Sequence, residues 1–368
     1  MRTRSVTPRV MKPKICLAFL VMIAPGLVRA DDGPFQNSIL GSLQSITATT
    51  VPSNGDLNPY GLAFVPAGFP GGGTISPGDL LVANFNNSQN QQGTGTTIVS
   101  ISPTGAQSVF ATSKLVGLDT ALGVLSRGFV IVGNLPVTYP GVVVGQGSLQ
   151  IFNRNGGLVA TLNDATLLDS PWDLTIDDDG STALVFVSNV LSGTVTRLNL
   201  SVTSAGVTVV SMTRIASGYT HAPNAAAVVV GPTGLAYDAH RDTLYVAATA
   251  DNKIFSVGNA GSRTSSGGTG SVIFADQKHL HGPLGLVLAP DGNLITANGD
   301  AVFAGGTPND LVEFMPQGIF VAHYQMDAGN PGGAFGIAIA GGSEGPVRFA
   351  SVDDDLNTVT IWNLRSQN

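Results

Sequence analysis

Cysteine is missing from almost all of this 368-residue chain: the one cysteine, Cys16, lies near the N-terminus. Disulfides and thiol chemistry are therefore excluded beyond residue 30. Glutamate is nearly absent too. Of 24 acidic residues only Glu313 and Glu344 are glutamate, and the rest are aspartate. Aspartate serves turns through side-chain to backbone hydrogen bonds, whereas glutamate serves helices. Consistently, no stretch after residue 30 has a convincing 3.6-residue apolar period. Basic residues are scarce in the same region. Six of the 17 (Arg2, Arg4, Arg9, Lys12, Lys14, Arg29) lie within residues 1–30, leaving eleven against 24 acids, a balance of −13. That excludes nucleic acid and anionic membrane surfaces as partners, since both need basic patches. There is also no nucleophile elbow and no phosphate-cradling glycine loop beside a helix.

What is present begins with an export signal. The basic start is followed by an apolar core, Ile15 to Leu27, too short to span a bilayer comfortably, and by Val28-Arg29-Ala30 ahead of Asp31-Asp32. Residues 1–30 read as a signal peptide. A periplasmic or extracellular protein follows, with no membrane insertion after signal cleavage.

With 47 glycines and 21 prolines, residues 31–368 are built of strands and turns. One phrase occurs six times: NPYGLAFV (from Asn58), TALGVL (Thr120), SPWDLTI (Ser170), GPTGLAYD (Gly231), GPLGLVLA (Gly282) and GAFGIAIA (Gly333). Anchored on Gly61, Gly123, Asp173, Gly234, Gly285 and Gly336, the copies are spaced by 62, 50, 61, 51 and 51 residues. Such a period, with several strands in each copy, marks propeller blades. In the fifth copy, Pro283 to Ala289 is a strand, Pro290-Asp291-Gly292-Asn293 a tight turn, and Leu294 to Ala297, Asp310 to Met315 and Ile319 to Tyr324 three more. The first two strands of each copy are nearly continuous apolar runs, which only stacking on neighbouring copies can bury. The expectation is an all-β, six-bladed β-propeller with four antiparallel strands per blade. It forms one domain over 31–368, with blades at about 57–113, 119–163, 170–216, 231–277, 282–327 and 333–365. The sixth copy stops one strand short. The orphan run from Gln44 to Val51 is expected to supply that outer strand and close the ring.

Four long segments, 85–97, 135–147, 217–231 and 299–309, fall either between second and third strands or between blades, so they decorate one face. Tight turns close the other and promise little concave surface. A small-molecule, peptide or protein ligand is therefore expected at the channel mouth of the long-loop face, near Tyr60, Asn84, Asn134, Trp172, Asn189, His221, His281 and Asn298. Tyr60 and Trp172 open first strands there, suited to stacking on a ligand or to packing between blades.

The phrase Leu81-Val82-Ala83-Asn84-Phe85-Asn86-Asn87, with Ser188-Asn189, Gly133-Asn134 and Ala297-Asn298 at the same point of other blades, resembles the NHL-repeat and gluconolactonase-like six-bladed propellers. The resemblance implies a metal-dependent hydrolase or lactonase holding Ca²⁺ or another divalent cation. Asn84, Asn189, Asn298, Asp300 and Asp353 are the oxygen donors, in a channel-mouth ring to which Asn134 would also belong. The chain departs from the family where a metal-binding Glu should precede a Gly-Pro near the first blade, because neither glutamate lies there. The alternative is that each Asn serves its own turn. Among other candidates, His221 with one of His279 and His281 and with Asp300 suits a transition metal or acid/base work. Asp177-Asp178-Asp179-Gly180 lacks calcium-loop spacing and reads as a hairpin turn, and Asp353-Asp354-Asp355 lies on the loop-rich face. The missing Glu and dispersed His favour an exported binding or scaffold propeller over the hydrolase.

Overall fold

A computed structural model describes residues 44–115, 117–138, 141–224, 227–299, 310–326, 333–342 and 345–363. The expected export segment, Asp300 and Glu344 lie outside these residues. Six four-stranded antiparallel sheets form a propeller, and the described residues contain a single turn of 3₁₀ helix, Thr249–Asp251. Blade 1 runs Leu57–Phe64, Leu80–Asn86, Thr97–Ile101, Gln107–Thr112. Blade 2 runs Leu118–Leu125, Phe129–Asn134, Ser148–Asn153, Leu158–Leu162. Blade 3 runs Pro171–Asp178, Thr182–Asn189, Thr194–Thr203, Gly206–Ser217, and blade 4 Pro232–Asp238, Thr243–Ala248, Lys253–Gly258, Ser271–Phe274. Blade 5 runs Pro283–Leu288, Leu294–Asn298, Asp310–Phe314, Phe320–Gln325, and blade 6 Ala334–Gly342, Gly345–Asp353, Thr358–Asn363.

The fourth strand of blade 6 comes from the other end of the chain. Gln44–Thr49 pairs antiparallel with Thr358–Asn363, Ile46 opposite Ile361 and Ala48 opposite Val359. The first strand of each blade lines the axis and packs on that of the next, and blade 6 packs on blade 1. The ring is thereby closed as the unpaired N-terminal run implied.

The core is a set of layers between blades rather than one central mass. Leu81, Ala83, Leu122 and Val130 pack between blades 1 and 2, and Leu149, Leu174, Val185 and Val187 between blades 2 and 3. The second strands Leu80–Asn86 and Phe129–Asn134 are buried along their whole length, hence their largely apolar sequence.

The repeated phrase has two structural causes. In all six blades the ladder between the first two strands slips at the phrase: between Pro59 and Leu62, Leu118 and Leu122, Pro171 and Asp173, Pro232 and Leu235, Pro283 and Leu286, and Ala334 and Ile337. Such a bulge bends each inner strand at the same height on the axis. At that height neighbouring inner strands approach backbone to backbone. A Cβ on Gly234 would strike the Leu284 carbonyl, and one on Gly336 the Tyr60 carbonyl. Only glycine fits such an approach.

Candidate functional site

First strands start at the long-loop face, so Tyr60 and Trp172 stand at that end of the channel, as expected. They do not face a ligand. Tyr60 is 4 % and Trp172 2 % exposed, and the Trp172 indole N–H donates to the Tyr60 hydroxyl at 3.3 Å. Their rings meet edge to face at 5.8 Å, with Phe335 4.9 Å from Tyr60 and Phe85 6.1 Å from Trp172. Parts of the long segments close over this plug, while 300–309 lies outside the described residues. A small hairpin within 135–147 (Val137–Thr138 with Val142–Val143) and another before blade 4 (Ala222–Asn224 with Val228–Val230) send Val137, Val228 and Val229 into the same apolar cluster.

The four asparagines serve the chain beside their own strands, the alternative to a metal ring. Each ends a second strand, and each carboxamide ties down the link that enters its own blade. The Asn84 Nδ2 donates to the Thr50 carbonyl at 3.0 Å and Asn134 Nδ2 to the Gly117 carbonyl at 3.1 Å. Asn189 accepts the Asp169 N–H at 3.0 Å and donates to the Leu167 carbonyl at 3.1 Å, close to the Thr194 and Thr196 hydroxyls. Asn298 accepts the His281 N–H at 3.1 Å and donates to the His279 carbonyl at 2.5 Å. Blade 4 has Ala248 at this point, and there the Thr249 N–H holds the Gly231 carbonyl instead.

The remaining polar candidates are dispersed. Asp353 caps its turn by accepting the Leu356 N–H at 3.0 Å. His279 Nδ1 pairs with Asp276 at 2.5 Å and its ring stacks on Phe320 at 3.8 Å. His281 Nε2 lies 3.2 Å from the Lys278 carbonyl, and His221 is exposed beside Gly193. Near it, burial pushes the Asp169 carboxyl up against the opposing effects of a Ser192 hydrogen bond and the His221 charge. No three His, Cys, Asp or Glu side chains converge on a metal position among the described residues. Asp178 and Asp179 are turn residues, accepting the Gly180 and Thr182 N–H groups.

The open space lies below the plug. The lower half of the channel is a cavity of about 900 Å³, lined by all six inner strands and reaching the blade 1 loop at Val65–Gly68. It opens on the tight-turn face, where little concave surface was expected. The concavity comes from the channel itself, so turn length held no sign of it. Its wall is mostly aliphatic, with one carboxyl, Asp173, and one cation, Arg348, among its lining residues. Asp173 occupies the place held by glycine in blades 1, 4, 5 and 6 and by Ala121 in blade 2. Its Oδ1 accepts the Leu174 N–H at 2.7 Å and its carboxyl also accepts the Leu235 N–H of blade 4. Burial outweighs both and holds this carboxyl well above the usual range. Arg348 lies over the Phe64 ring at 4.7 Å and donates to the Gly78 carbonyl at 2.5 Å. Burial lowers its pKa against the pull of Asp79. Sequence reasoning used Asp173 only as a repeat anchor; its departure from glycine was the available signal.

No family model matches the chain, and no curated protein matches it by sequence. Solved structures do. A gluconolactonase from Xanthomonas campestris superposes with a TM-score of 0.54 at 14% identity, over 87% of this chain and 90% of that one. A luciferin-regenerating enzyme gives 0.53 at 12%, over 87% and 96%. A calcium-binding regucalcin from Agrobacterium tumefaciens gives 0.52 at 13%, over 86% and 93%. The chain has the fold of the gluconolactonase-like propellers.

Against a gluconolactonase-like metal site, the donor set fits poorly. Asn189 and Asn298 spend both oxygen and nitrogen on the backbone, while the Asn84 Oδ1 is one buried oxygen with no hydrogen-bond donor in reach. The one described glutamate, Glu313, is fully buried on the third strand of blade 5 and accepts from Asn293 at 2.8 Å. The amides hold the fold, and beyond the Asn84 Oδ1 a cation at the plug would have to displace links to find further amide oxygens.

Proposed function

We propose that this is an exported propeller that takes a small organic ligand into its central channel from the tight-turn face. The observation that supports it is the cavity: about 900 Å³, apolar, and carrying few polar groups, the usual form of a small-molecule site. A rigid ring of six blades holds such a wall without loop ordering, which keeps the entropic cost of binding low. A panel of small amines, alcohols, acids and lactones, followed by thermal shift, tests the reading. Ligands of this site raise the Tm of the wild type more than that of Ala340→Trp, which puts an indole into the cavity. A panel in which every stabilising ligand acts equally on both proteins refutes it.

A second reading, metal-dependent lactone hydrolysis, draws on the fold likeness to a gluconolactonase and to a calcium-binding regucalcin. Fold alone is an analogy, since function lives in sites. It does favour small-molecule chemistry over a scaffold role. Metal content after extensive dialysis, with hydrolysis of simple lactones as the second readout, decides it: stoichiometric calcium and turnover support the hydrolase, and neither leaves the binding protein.

A further inference from the structure

We infer that the channel cavity is a site for an apolar organic cation, a primary or secondary amine on a hydrocarbon body, with the ammonium held by Asp173. The inference rests on the cavity as the ligand site and names the chemistry it takes.

Three observations converge on Asp173. First, the fold has no need of a carboxyl at this position. By the ladder register, blades 1, 4, 5 and 6 carry glycine there, namely Gly61, Gly234, Gly285 and Gly336, and blade 2 carries Ala121, and all of them build a bulge without a carboxyl. Secondly, Asp173 is one of the residues lining a cavity walled by Leu62, Leu122, Leu235, Leu286 and Ile337, in a setting that disfavours its charge. Its partners in the protein are the N–H groups of Leu174 and Leu235, and they do not compensate for burial. An ammonium entering the cavity would supply the missing counter-charge, and the aliphatic wall would cover its hydrocarbon part. Thirdly, the chain beyond residue 30 carries −13, a field that draws cations and repels anions.

The other titratable groups facing the cavity do not compete. The Tyr237 hydroxyl donates to Asp242 at 2.9 Å, and burial, then Asp242, raises its pKa, so it stays neutral. Arg348 is held at the rim by Phe64 and the Gly78 carbonyl, with the Asp79 charge opposing its own. An ammonium beside Asp173 favours the ionised carboxyl, so binding releases whatever proton the empty site holds and leaves a carboxylate–ammonium pair. Affinity for the amine therefore rises with pH as long as the empty-site carboxyl is still protonated, whereas an uncharged ligand gains nothing.

Calorimetry with hexylamine and 1-hexanol, equal in size and different in charge, tests this on the full chain. Hexylamine is expected to bind wild type at least about tenfold more tightly than 1-hexanol. Its enthalpy should vary with the ionisation heat of the buffer, as proton release requires. Asp173→Asn, which keeps the shape and the backbone acceptor, should bring the two ligands to equal, weak affinity. Ala340→Trp, which puts an indole into the cavity, should change the affinity for both. The buffer dependence needs only wild type, so the inference stays open to refutation if Asp173→Asn fails to fold. Equal binding of amine and alcohol by wild type, or a preference that survives Asp173→Asn, overturns the ligand class and leaves the cavity standing. Binding that Ala340→Trp does not touch, or none of either ligand by wild type, overturns the cavity reading itself.

Discussion

Replacing Asn189 with aspartate changes one NH₂ group to an oxygen and little else, yet two accounts of this residue give opposite results. In the structure Asn189 is fully buried, its Nδ2 facing the Leu167 carbonyl at 3.1 Å and two threonine hydroxyls at 3.1 and 3.2 Å. An oxygen there would confront the Leu167 carbonyl with no proton between them unless the acid stays protonated. The Thr196 hydroxyl cannot turn to help, because it already donates to that carbonyl at 2.5 Å. Leaving one buried polar group without its partner costs about 1–3 kcal/mol. An acid kept from ionising adds to that, so the loss should approach ~3 kcal/mol, or about 4–8 °C in Tm. Thermal unfolding followed by circular dichroism, with and without calcium, reads it. An amide that served as a metal ligand would be improved by the same change, since carboxylates bind calcium well. An unchanged Tm, or a Tm restored by calcium in the variant alone, would refute the account of the asparagines as staples.

Three further outcomes are expected. Gly336→Ala should destabilise the ring by about 1–3 kcal/mol, because the new Cβ meets the Tyr60 carbonyl of the next blade; unaltered urea unfolding would mean that the two strands part freely. Deleting residues 31–51 removes the six-residue ladder that closes blade 6 and should cost about 3–6 kcal/mol, with aggregation through the bared edge, read by Tm and light scattering. The Asp354 carboxyl is pushed up to about 7 by burial, then by Asp355 and Asp353. An unfolded aspartate ionises near ~3.9, so between these values the unfolded chain holds fewer protons and stability falls as pH rises. Asp354→Asn should therefore raise Tm at pH 8 and leave it unchanged at pH 3.5, and a gain equal at both values would contradict that assignment.

The sequence was most legible where geometry repeats. Six spaced phrases, largely apolar second strands and an unpaired N-terminal run carried the blade number, the burial and the closure. It was least legible where side chains from distant blades meet. Asn84, Asn134, Asn189 and Asn298 were visible as a set, but whether their amides turned to the axis or to their own links depends on contacts 17 to 34 residues away. Trp172 and Tyr60 were placed correctly at the channel mouth, yet their mutual hydrogen bond spans 112 residues, and no local pattern records it. The cavity had no signature in the loops because inner strands form it. Its one sequence trace was Asp173 standing where four of the other blades carry glycine.

The most direct measurement is a crystal structure soaked with small amines, alcohols and lactones. The account predicts ligand density below the Tyr60–Trp172 plug, against Leu62, Leu286 and Asp173, with the four asparagines still bonded to their links. Density above the plug, on carboxamides that have released Thr50, Leu167 and His279, would contradict it.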